Sequence, residues 1–327
     1  MKYQIILFYK YVYLADPEAV AEGQRELCEK LDLKGRCIIA SEGINATFEG
    51  TEENIKEYVR EIEKDERFKN IHYKYNEGTG SAFPKLSIKV RHEIVTSGLC
   101  NCDTRSVTDR EGPQRDFICN GINPNEITGV HLKPEELHQW IKNGREFYIV
   151  DMRNAYEHKV GHFENSILPP IENFRDLPKV VEQIKHLKNK TVLTVCTGGV
   201  RCEKASGFLI TEGFTDVYQL DGGIVSYMER YPNEDFQGKL YVFDKRVTFG
   251  FYTDDSKHKI IGKCDACAGK SENYVNCANP VCHRHFVICE NCLAKNDGKA
   301  FCPGGCVLSR HGRKISPVEV NYGPVRD

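Results

Sequence analysis

The first 98 residues alternate between short apolar segments and amphipathic ones. Aromatic and β-branched residues at alternate positions predict strands, whereas apolar residues that recur every three or four positions predict helices. Asp16 followed by Pro17, and later Thr51, are typical residues at helix starts. The predicted strands cover residues 2–14, 35–40, 44–50, 71–75 and 86–90, and the two helices follow Asp16 and Thr51. This βαββαβ order with one added strand predicts a ferredoxin-like α+β domain over residues 1–98.

From residue 130 the pattern changes to a regular alternation of helices and apolar strands. The predicted helices cover 134–143, 177–187 and 202–212, and the predicted strands cover 147–152, 191–195 and 216–220. Such alternation predicts an α/β domain over residues 130–232, with a parallel sheet and helices on both faces. Residues 99–129 are polar and rich in glycine and proline, which predicts a linker that carries Cys100, Cys102 and Cys119. Only one residue separates Cys100 from Cys102, so solvent-facing thiols are favoured there over a metal site. Residues 233–327 have little periodicity and form a cysteine-rich C-terminal region.

The composition is that of an ordinary globular protein, with 327 residues, 40% hydrophobic and 28% charged. Lys10 interrupts the apolar N-terminal run, and no stretch approaches the ~18 apolar residues of a membrane-spanning helix. We therefore expect a cytoplasmic protein with no membrane association. The net charge of -2 excludes an overall basic field for nucleic acid. Positive charge is concentrated near the end of the sequence, at Arg310, His311, Arg313 and Lys314. A solvated tail is favoured there over a phosphate-binding segment.

Eight of the fifteen cysteines form four close pairs in the C-terminal region. The pairs are Cys264 with Cys267, Cys277 with Cys282, Cys289 with Cys292, and Cys302 with Cys306. Because a reducing cytosol disfavours disulfides, this spacing indicates metal ligands. The pairs could complete two tetrahedral four-cysteine sites, either in sequence or interleaved as first with third and second with fourth, with His283 and His285 as alternative ligands. Structural zinc is favoured over free thiols.

Cys196 stands at the carboxyl end of the predicted strand 191–195, where ligands collect in parallel α/β sheets. Gly198 and Gly199 allow the backbone to curl with its amides inward, and the next helix directs its N-terminus to the same place. Such surroundings are expected to lower the pKa of the thiol from about 8.5. A decrease of two units, roughly 2.7 kcal/mol, would make the thiol mostly anionic at pH 7. The sequence therefore predicts a catalytic nucleophile at Cys196.

Arg201 follows with four residues between it and Cys196. Cysteine phosphatases have five residues between the nucleophilic cysteine and the arginine that binds phosphate, so the loop here is predicted to be too small for phosphate. Arg201 is assigned to the catalytic site, where it binds an anion or supports the loop. Cys202 could resolve a sulfenate or persulfide on Cys196, but a packed thiol is favoured.

Two further groups are assigned structural roles. The first is predicted to form an ion-pair and hydrogen-bond set and comprises Asp151, Arg153, Glu157 and His162. The second alternates along one face of the first strand and comprises Tyr9, Tyr11 and Tyr13. RNA-recognition domains carry aromatic residues on such a face, but no aromatic-rich RNA-binding sequence accompanies them here. A buried or half-buried packing face is therefore favoured.

Several motifs resemble known families. The loop beginning at Cys196 resembles the active-site loop of rhodaneses, which cradles a persulfide, and "VDMRNAYEHKVGHFENSI" at 150–167 and "LDGGIVSY" at 220–227 match other rhodanese motifs. A larger set, in this order along the chain, closely resembles the rhodanese-domain tRNA uridine hydroxylases of bacteria. Its members are "ASEGINATFEG" at 40–50, "LSIKVRHEIVTSG" at 86–98, "CTGGVRCEKASGFL" at 196–209 and "GKLYVFDKRV" at 238–247.

This resemblance implies a rhodanese domain at residues 130–232 and oxygen-dependent hydroxylation of the wobble uridine of tRNA to 5-hydroxyuridine. It implies tRNA as the partner, molecular oxygen as co-substrate and Cys196 as the active-site residue; no organic cofactor is evident. The alternative function is a sulfurtransferase that moves sulfane sulfur through a persulfide on Cys196. A third interpretation is a non-catalytic module that docks through its cysteine-rich region, and the intact loop argues against it.

Overall fold

The computed structural model describes residues 2–99, 121–282, 284–295, 298–303 and 306. Several of the sequence predictions lie outside these residues. They are the thiols Cys100, Cys102 and Cys119 with most of the predicted linker, the alternative ligand His283, and the basic segment Arg310, His311, Arg313 and Lys314.

The N-terminal domain is a five-stranded sheet with two helices packed on one face. Its elements are β1 (Tyr3–Tyr11), α1 (Pro17–Lys30), β2 (Lys34–Ala40), β3 (Gly43–Thr51), α2 (Glu52–Ile62), β4 (Lys74–Glu77) and β5 (Leu86–Val90). The strand order is β4-β1-β3-β2-β5, and all neighbours are antiparallel except β2 and β5. The predicted α+β fold with one added strand is confirmed.

Both predicted helix starts are confirmed. Asp16 and Thr51 each accept a hydrogen bond from the amide three residues later, at 2.9 and 3.2 Å, which satisfies a donor that the first turn leaves unpaired. The bounds predicted for the strand at 71–75 are wrong, because β4 begins at Lys74. Asn70 adopts a left-handed φ of 57°, so the chain turns just before residue 71, and only Lys74–Glu77 pair with β1.

Alternation along β1 gives the N-terminal sheet two different faces. Ile6 and Phe8 are completely buried in the core beneath the helices. Leu7 and Tyr9 lie on the opposite face, where they pack against the second domain. Tyr11 also lies there and is buried. The predicted packing face is therefore confirmed for Tyr9 and Tyr11, whereas Tyr13 follows β1 and is exposed.

The second domain is a four-stranded parallel sheet with helices on both faces, as predicted. Its elements are β6 (Val130–Leu132), α3 (Pro134–Lys142), β7 (Tyr148–Asp151), α4 (Ala155–His158), β8 (Gly161–Phe163), α5 (Leu177–Ile184), β9 (Thr191–Val195), α6 (Val200–Thr211), β10 (Asp216–Leu220) and α7 (Gly223–Arg230). The order in the sheet is β6-β10-β9-β7. One core packs α5 and α6 against the sheet, and the other packs α3 and α7 against its opposite face.

The C-terminal region consists of short elements that lie against the second domain. They are β11 (Phe236–Gly238), β12 (Leu240–Tyr241), β13 (Thr248–Phe249), β14 (Tyr274–Asn276), β15 (His285–Val287) and α8 (Glu290–Ala294). β11 pairs antiparallel with β8, and the Tyr274 hydroxyl donates to the Tyr156 carbonyl at 2.8 Å. Within the part of the chain that the structure describes, no helix has the length and hydrophobicity needed to cross a lipid bilayer.

Candidate active site and cysteine clusters

Cys196 directly follows β9 and begins a tight turn, residues 196–199, which we call the reactive loop. The side chain is completely buried, and Sγ accepts a hydrogen bond from Gly199 N at 3.3 Å. Gly199 has a φ of 102°, which side chains rarely tolerate, so glycine permits the turn that brings this amide to the sulfur. A Cβ on Gly223, at the start of α7, would lie 2.7 Å from Cys196 O. Glycine at both positions therefore allows the loop to close around the sulfur.

The surroundings of Cys196 favour its thiolate form. Burial raises the pKa of the thiol, but the Cys202 thiol, the charge of Arg201 and the amides of Cys202 and Gly199 together outweigh burial and lower the pKa to about 6. Cys202 is also fully buried, and burial together with the neighbouring Cys196 raises the pKa of its own thiol. The thiolate form is therefore favoured on Cys196 rather than on Cys202. This is the direction predicted from the sequence.

Arg201 braces the reactive loop through a buried ion pair. Its guanidinium donates to both carboxylate oxygens of Glu157 in α4, at 2.6 and 3.0 Å, and to Thr197 Oγ1 at 3.1 Å. The pairing is bidentate, which fixes the plane of the guanidinium as well as its position. Arg201 is 7% exposed. The geometry thus favours loop support, the second of the two roles considered for this residue.

The predicted ion-pair set around Asp151 is only partly correct. Asp151 and Arg153 form a fully buried bidentate pair, with Nε to Oδ1 at 2.9 Å and Nη2 to Oδ2 at 2.6 Å. Glu157 instead pairs with Arg201, because its helix faces the reactive loop. His162 bonds the adjacent Phe163 carbonyl, and the histidine beside Asp151 is His158, at 3.6 Å. The sequence placed four polar residues near one another but did not indicate their partners.

The N-terminal domain covers the reactive loop. Tyr11 donates to Val200 O at 3.1 Å, and Lys74 donates to Gly198 O at 3.1 Å. A Cβ on Gly198 would lie 2.9 Å from Leu7 Cδ2, and one on Gly199 would lie 2.9 Å from the Tyr9 hydroxyl. The two loop glycines therefore leave room for the neighbouring domain as well as permitting the turn. This contact joins residues far apart in the chain, so it could not be predicted from the sequence.

Glu203 links the two domains one turn into α6. Its carboxylate accepts from the Tyr9 hydroxyl at 2.9 Å and from Thr128 and Gln219, each at 2.9 Å, and it bonds His131 Nε2 at 3.0 Å. Burial raises the pKa of this carboxyl, but the hydrogen bonds outweigh burial and lower it. Glu203 is therefore a buried, charged and fully hydrogen-bonded group. None of these contacts was predicted from the sequence.

A cleft of about 500 Å³ opens between the two domains at the carboxyl edge of the parallel sheet. Asp221, directly after β10, lines it together with His72 of the N-terminal domain. Lys133 and Arg230 contribute cationic groups to its wall. Since β9 and β10 are neighbours, the cleft lies on the same edge of the sheet as Cys196.

The eight C-terminal cysteines form two clusters in the interleaved arrangement. One contains Cys264, Cys267, Cys289 and Cys292, and the other contains Cys277, Cys282, Cys302 and Cys306. Within each cluster the sulfurs lie within 4.8 Å of one another. Tetrahedral zinc with Zn–S bonds of about 2.3 Å places its sulfurs roughly 3.8 Å apart, so both clusters fit a zinc ion. His285 bonds Tyr241 at 2.8 Å and belongs to neither cluster.

Three family models match successive parts of the chain. They are a UPF0176 acylphosphatase like domain at residues 3–94, a rhodanese-like domain at 133–230 and a rhodanase C-terminal region at 237–307. Relatives named tRNA uridine(34) hydroxylase match most of the chain. One from Cytophaga hutchinsonii is 43% identical over 296 residues, covering 90% of this chain and 88% of its own. One from Pseudarthrobacter chlorophenolicus is 40% identical, and the match covers 93% of this chain and 98% of the relative. One from Staphylococcus carnosus is 39% identical, and the match covers 89% of this chain and 86% of the relative.

Proposed function

Because the chain belongs to the family of tRNA uridine(34) hydroxylases, which are tRNA-modifying enzymes, we propose that it hydroxylates the wobble uridine of tRNA to 5-hydroxyuridine. This membership confirms the resemblance drawn from the motifs. Molecular oxygen is the co-substrate that such a hydroxylation implies. We infer that the protein acts in the cytoplasm, where its tRNA substrate is found.

We assign Cys196 as the catalytic residue and Arg201 as the residue that supports it. The observation that carries this assignment is the fully buried sulfur that accepts an amide hydrogen bond beside a cation. These groups stabilise the thiolate, which is the nucleophilic form of cysteine. Since Glu157 binds both terminal nitrogens of the Arg201 guanidinium and Thr197 binds one of them, the arginine acts by holding the loop and by its charge.

The sulfurtransferase alternative is less well supported. A rhodanese domain alone suffices to carry sulfur on its cysteine. Here a further domain, at residues 3–94, contacts the reactive loop through Tyr11 and Lys74. The relatives that match about nine-tenths of the chain are named tRNA uridine(34) hydroxylase.

We also propose that each cysteine cluster holds one structural zinc ion. Four sulfurs at tetrahedral spacing leave no open position for a substrate, which is typical of a structural site. The described C-terminal elements are short, so metal ligation would supply much of the stability of this region. The residues that would bind the metal are the eight cysteines predicted from the sequence.

Nucleoside mass spectrometry of tRNA from a strain lacking the gene tests the proposed function. The deleted strain should lack 5-hydroxyuridine at position 34, and the wild-type gene should restore it. Cys196→Ala should fail to restore the nucleoside, whereas Cys37→Ala, a buried cysteine in the N-terminal core, should succeed. Restoration of a thiolated uridine instead would assign the sulfurtransferase activity, and hydroxylation by Cys196→Ala would remove Cys196 from the catalytic site.

A further inference from the structure

We propose that Lys74, the first residue of β4, is a positioning residue of the active site. Its ammonium holds the peptide unit between Gly198 and Gly199 so that the amide of Gly199 faces the sulfur of Cys196. The N-terminal domain thereby contributes to the rhodanese active site, and the reactivity of Cys196 depends on the docked arrangement of the two domains.

The burial of Lys74 is unusual for a lysine. The residue is only 5% exposed, and Nζ donates to Gly198 O at 3.1 Å and lies 4.9 Å from the centre of the Tyr9 ring. Among the described residues, no carboxylate is close enough to form an ion pair with it. Buried charges are normally paired, because burial without a partner is costly. The main-chain carbonyl of the reactive loop is therefore the principal polar partner of this ammonium.

The geometry of a peptide unit explains how Lys74 acts on Cys196. In a trans peptide the carbonyl of one residue and the N–H of the next point in opposite directions. Lys74 binds the Gly198 carbonyl on one side, and the Gly199 N–H donates to Cys196 Sγ at 3.3 Å on the other. Both residues that flank this peptide are glycine, so the barrier to a different orientation is low. A contact that holds the carbonyl therefore also holds the amide on the sulfur.

The charge of Lys74 acts in the same direction. Burial lowers its pKa to about 8, although Asp221, Cys196 and Glu203 oppose this and favour the ammonium. The titratable groups that face it are these three and Tyr9 of β1. Because the interaction of Lys74 with the Cys196 thiolate is mutual, the ammonium favours the thiolate as much as the thiolate favours the ammonium. Replacing Lys74 by a side chain with neither charge nor donor should remove both the electrostatic effect and the hydrogen bond that holds the peptide.

The test is the pH dependence of Cys196 alkylation in the full-length protein. Iodoacetamide labelling of the peptide that contains Cys196 is followed by mass spectrometry from pH 5 to pH 9. The variants are Lys74→Met, Lys74→Arg and, as the matched control, Lys85→Met, which changes an exposed lysine of the same domain. The midpoint of each profile reports the pKa of the thiol, whereas a general loosening of the interface changes the rate at every pH.

We expect the midpoint to rise by about one pH unit in Lys74→Met, from about 6 to about 7, which reduces labelling at pH 6 by about fivefold. Lys74→Arg should keep the wild-type midpoint because it retains a buried cationic donor, and Lys85→Met should match the wild type. An unchanged midpoint in Lys74→Met would overturn the inference. If that variant does not fold, Lys74→Gln replaces it. A glutamine retains a donor without the charge, so Lys74→Ala, which lacks both, is measured beside it, and a wild-type midpoint in Lys74→Ala would overturn the inference.

This inference rests on the proposed role of Cys196, but the labelling needs no turnover. A shifted midpoint in a protein that does not hydroxylate tRNA would reject the proposed function and support the role of Lys74. An unchanged midpoint in a protein with Cys196-dependent hydroxylation would reject the role of Lys74 alone.

Discussion

Replacing Lys204 by methionine tests what holds the two domains together. The Lys204 side chain is 2% exposed, and Nζ lies 2.8 Å from Glu42 Oε1 and 2.6 Å from Glu93 Oε1, both in the N-terminal domain. Methionine retains a similar length but leaves the two buried carboxylates without their shared cation. Removing one partner of a buried ion pair costs about 3–5 kcal/mol. We therefore expect Lys204→Met to lower the free energy of unfolding by about 4 kcal/mol at pH 7.5.

The loss should depend on pH in a defined direction. Burial raises the pKa of Glu42, and Lys204 opposes this increase. Without Lys204, the folded pKa of Glu42 moves further above its unfolded value of about 4.3. A carboxyl with a raised folded pKa binds its proton more tightly in the folded state, so stability rises as the pH falls through that pKa. The difference between Lys204→Met and the wild type should therefore be largest at pH 7.5 and smaller at pH 5.

Urea unfolding at both pH values, followed by circular dichroism and by the fluorescence of Trp140, measures these differences. The control is Lys64→Met, which breaks an exposed pair with Glu61 and should cost less than about 0.5 kcal/mol. A triple variant that also carries Glu42→Gln and Glu93→Gln should recover part of the loss, because no uncompensated charge remains. A loss below about 1 kcal/mol at pH 7.5, or one that is the same at both pH values, would refute this account of the interface.

Two further predictions concern the cysteines. Iodoacetamide at pH 6 should label Cys196 well ahead of Cys28. The reason is that the pKa of Cys196 is lowered to about 6, whereas burial raises the pKa of Cys28 to about 12. Equal labelling rates in the intact protein would contradict the thiolate assignment. The purified protein should contain about two zinc ions by elemental analysis, and chelation should increase hydrogen exchange at residues 264–306 while residues 3–94 stay protected. A metal-free protein with the same protection would rule out structural zinc.

The sequence predicted most where local pattern determines structure. The strand 191–195, the glycines after Cys196 and the helix that follows specify a strand-turn-helix unit, and its amides must converge at the carboxyl end of the strand. Helix α6 begins at Val200 rather than at the predicted residue 202, because Gly199 already completes the turn. The four cysteine pairs indicated two metal sites for a similar reason, since spacing alone brings each pair together.

Contacts between distant parts of the chain could not be predicted in this way. Whether the cysteine pairs combine in sequence or interleave depends on the pairing of β14 with β15, which the sequence does not show. The partner of Arg201 depends on how α4 packs against the loop, so Glu157 was placed in the wrong set. Lys74 and Glu203 are ordinary charged residues in their local sequence, and only the docked domains bring them to the reactive loop.

The docked domains also change what a truncation would reveal. Removing residues 1–98 would delete any RNA-binding surface of the N-terminal domain, but it would also leave Lys204 without Glu42 and Glu93 and the Gly198 carbonyl without Lys74. Loss of hydroxylation in such a fragment would therefore follow from a disturbed active site as readily as from lost tRNA binding. Single substitutions at the interface separate the two causes, because Lys74→Met alters the reactive loop and leaves the rest of the N-terminal surface in place.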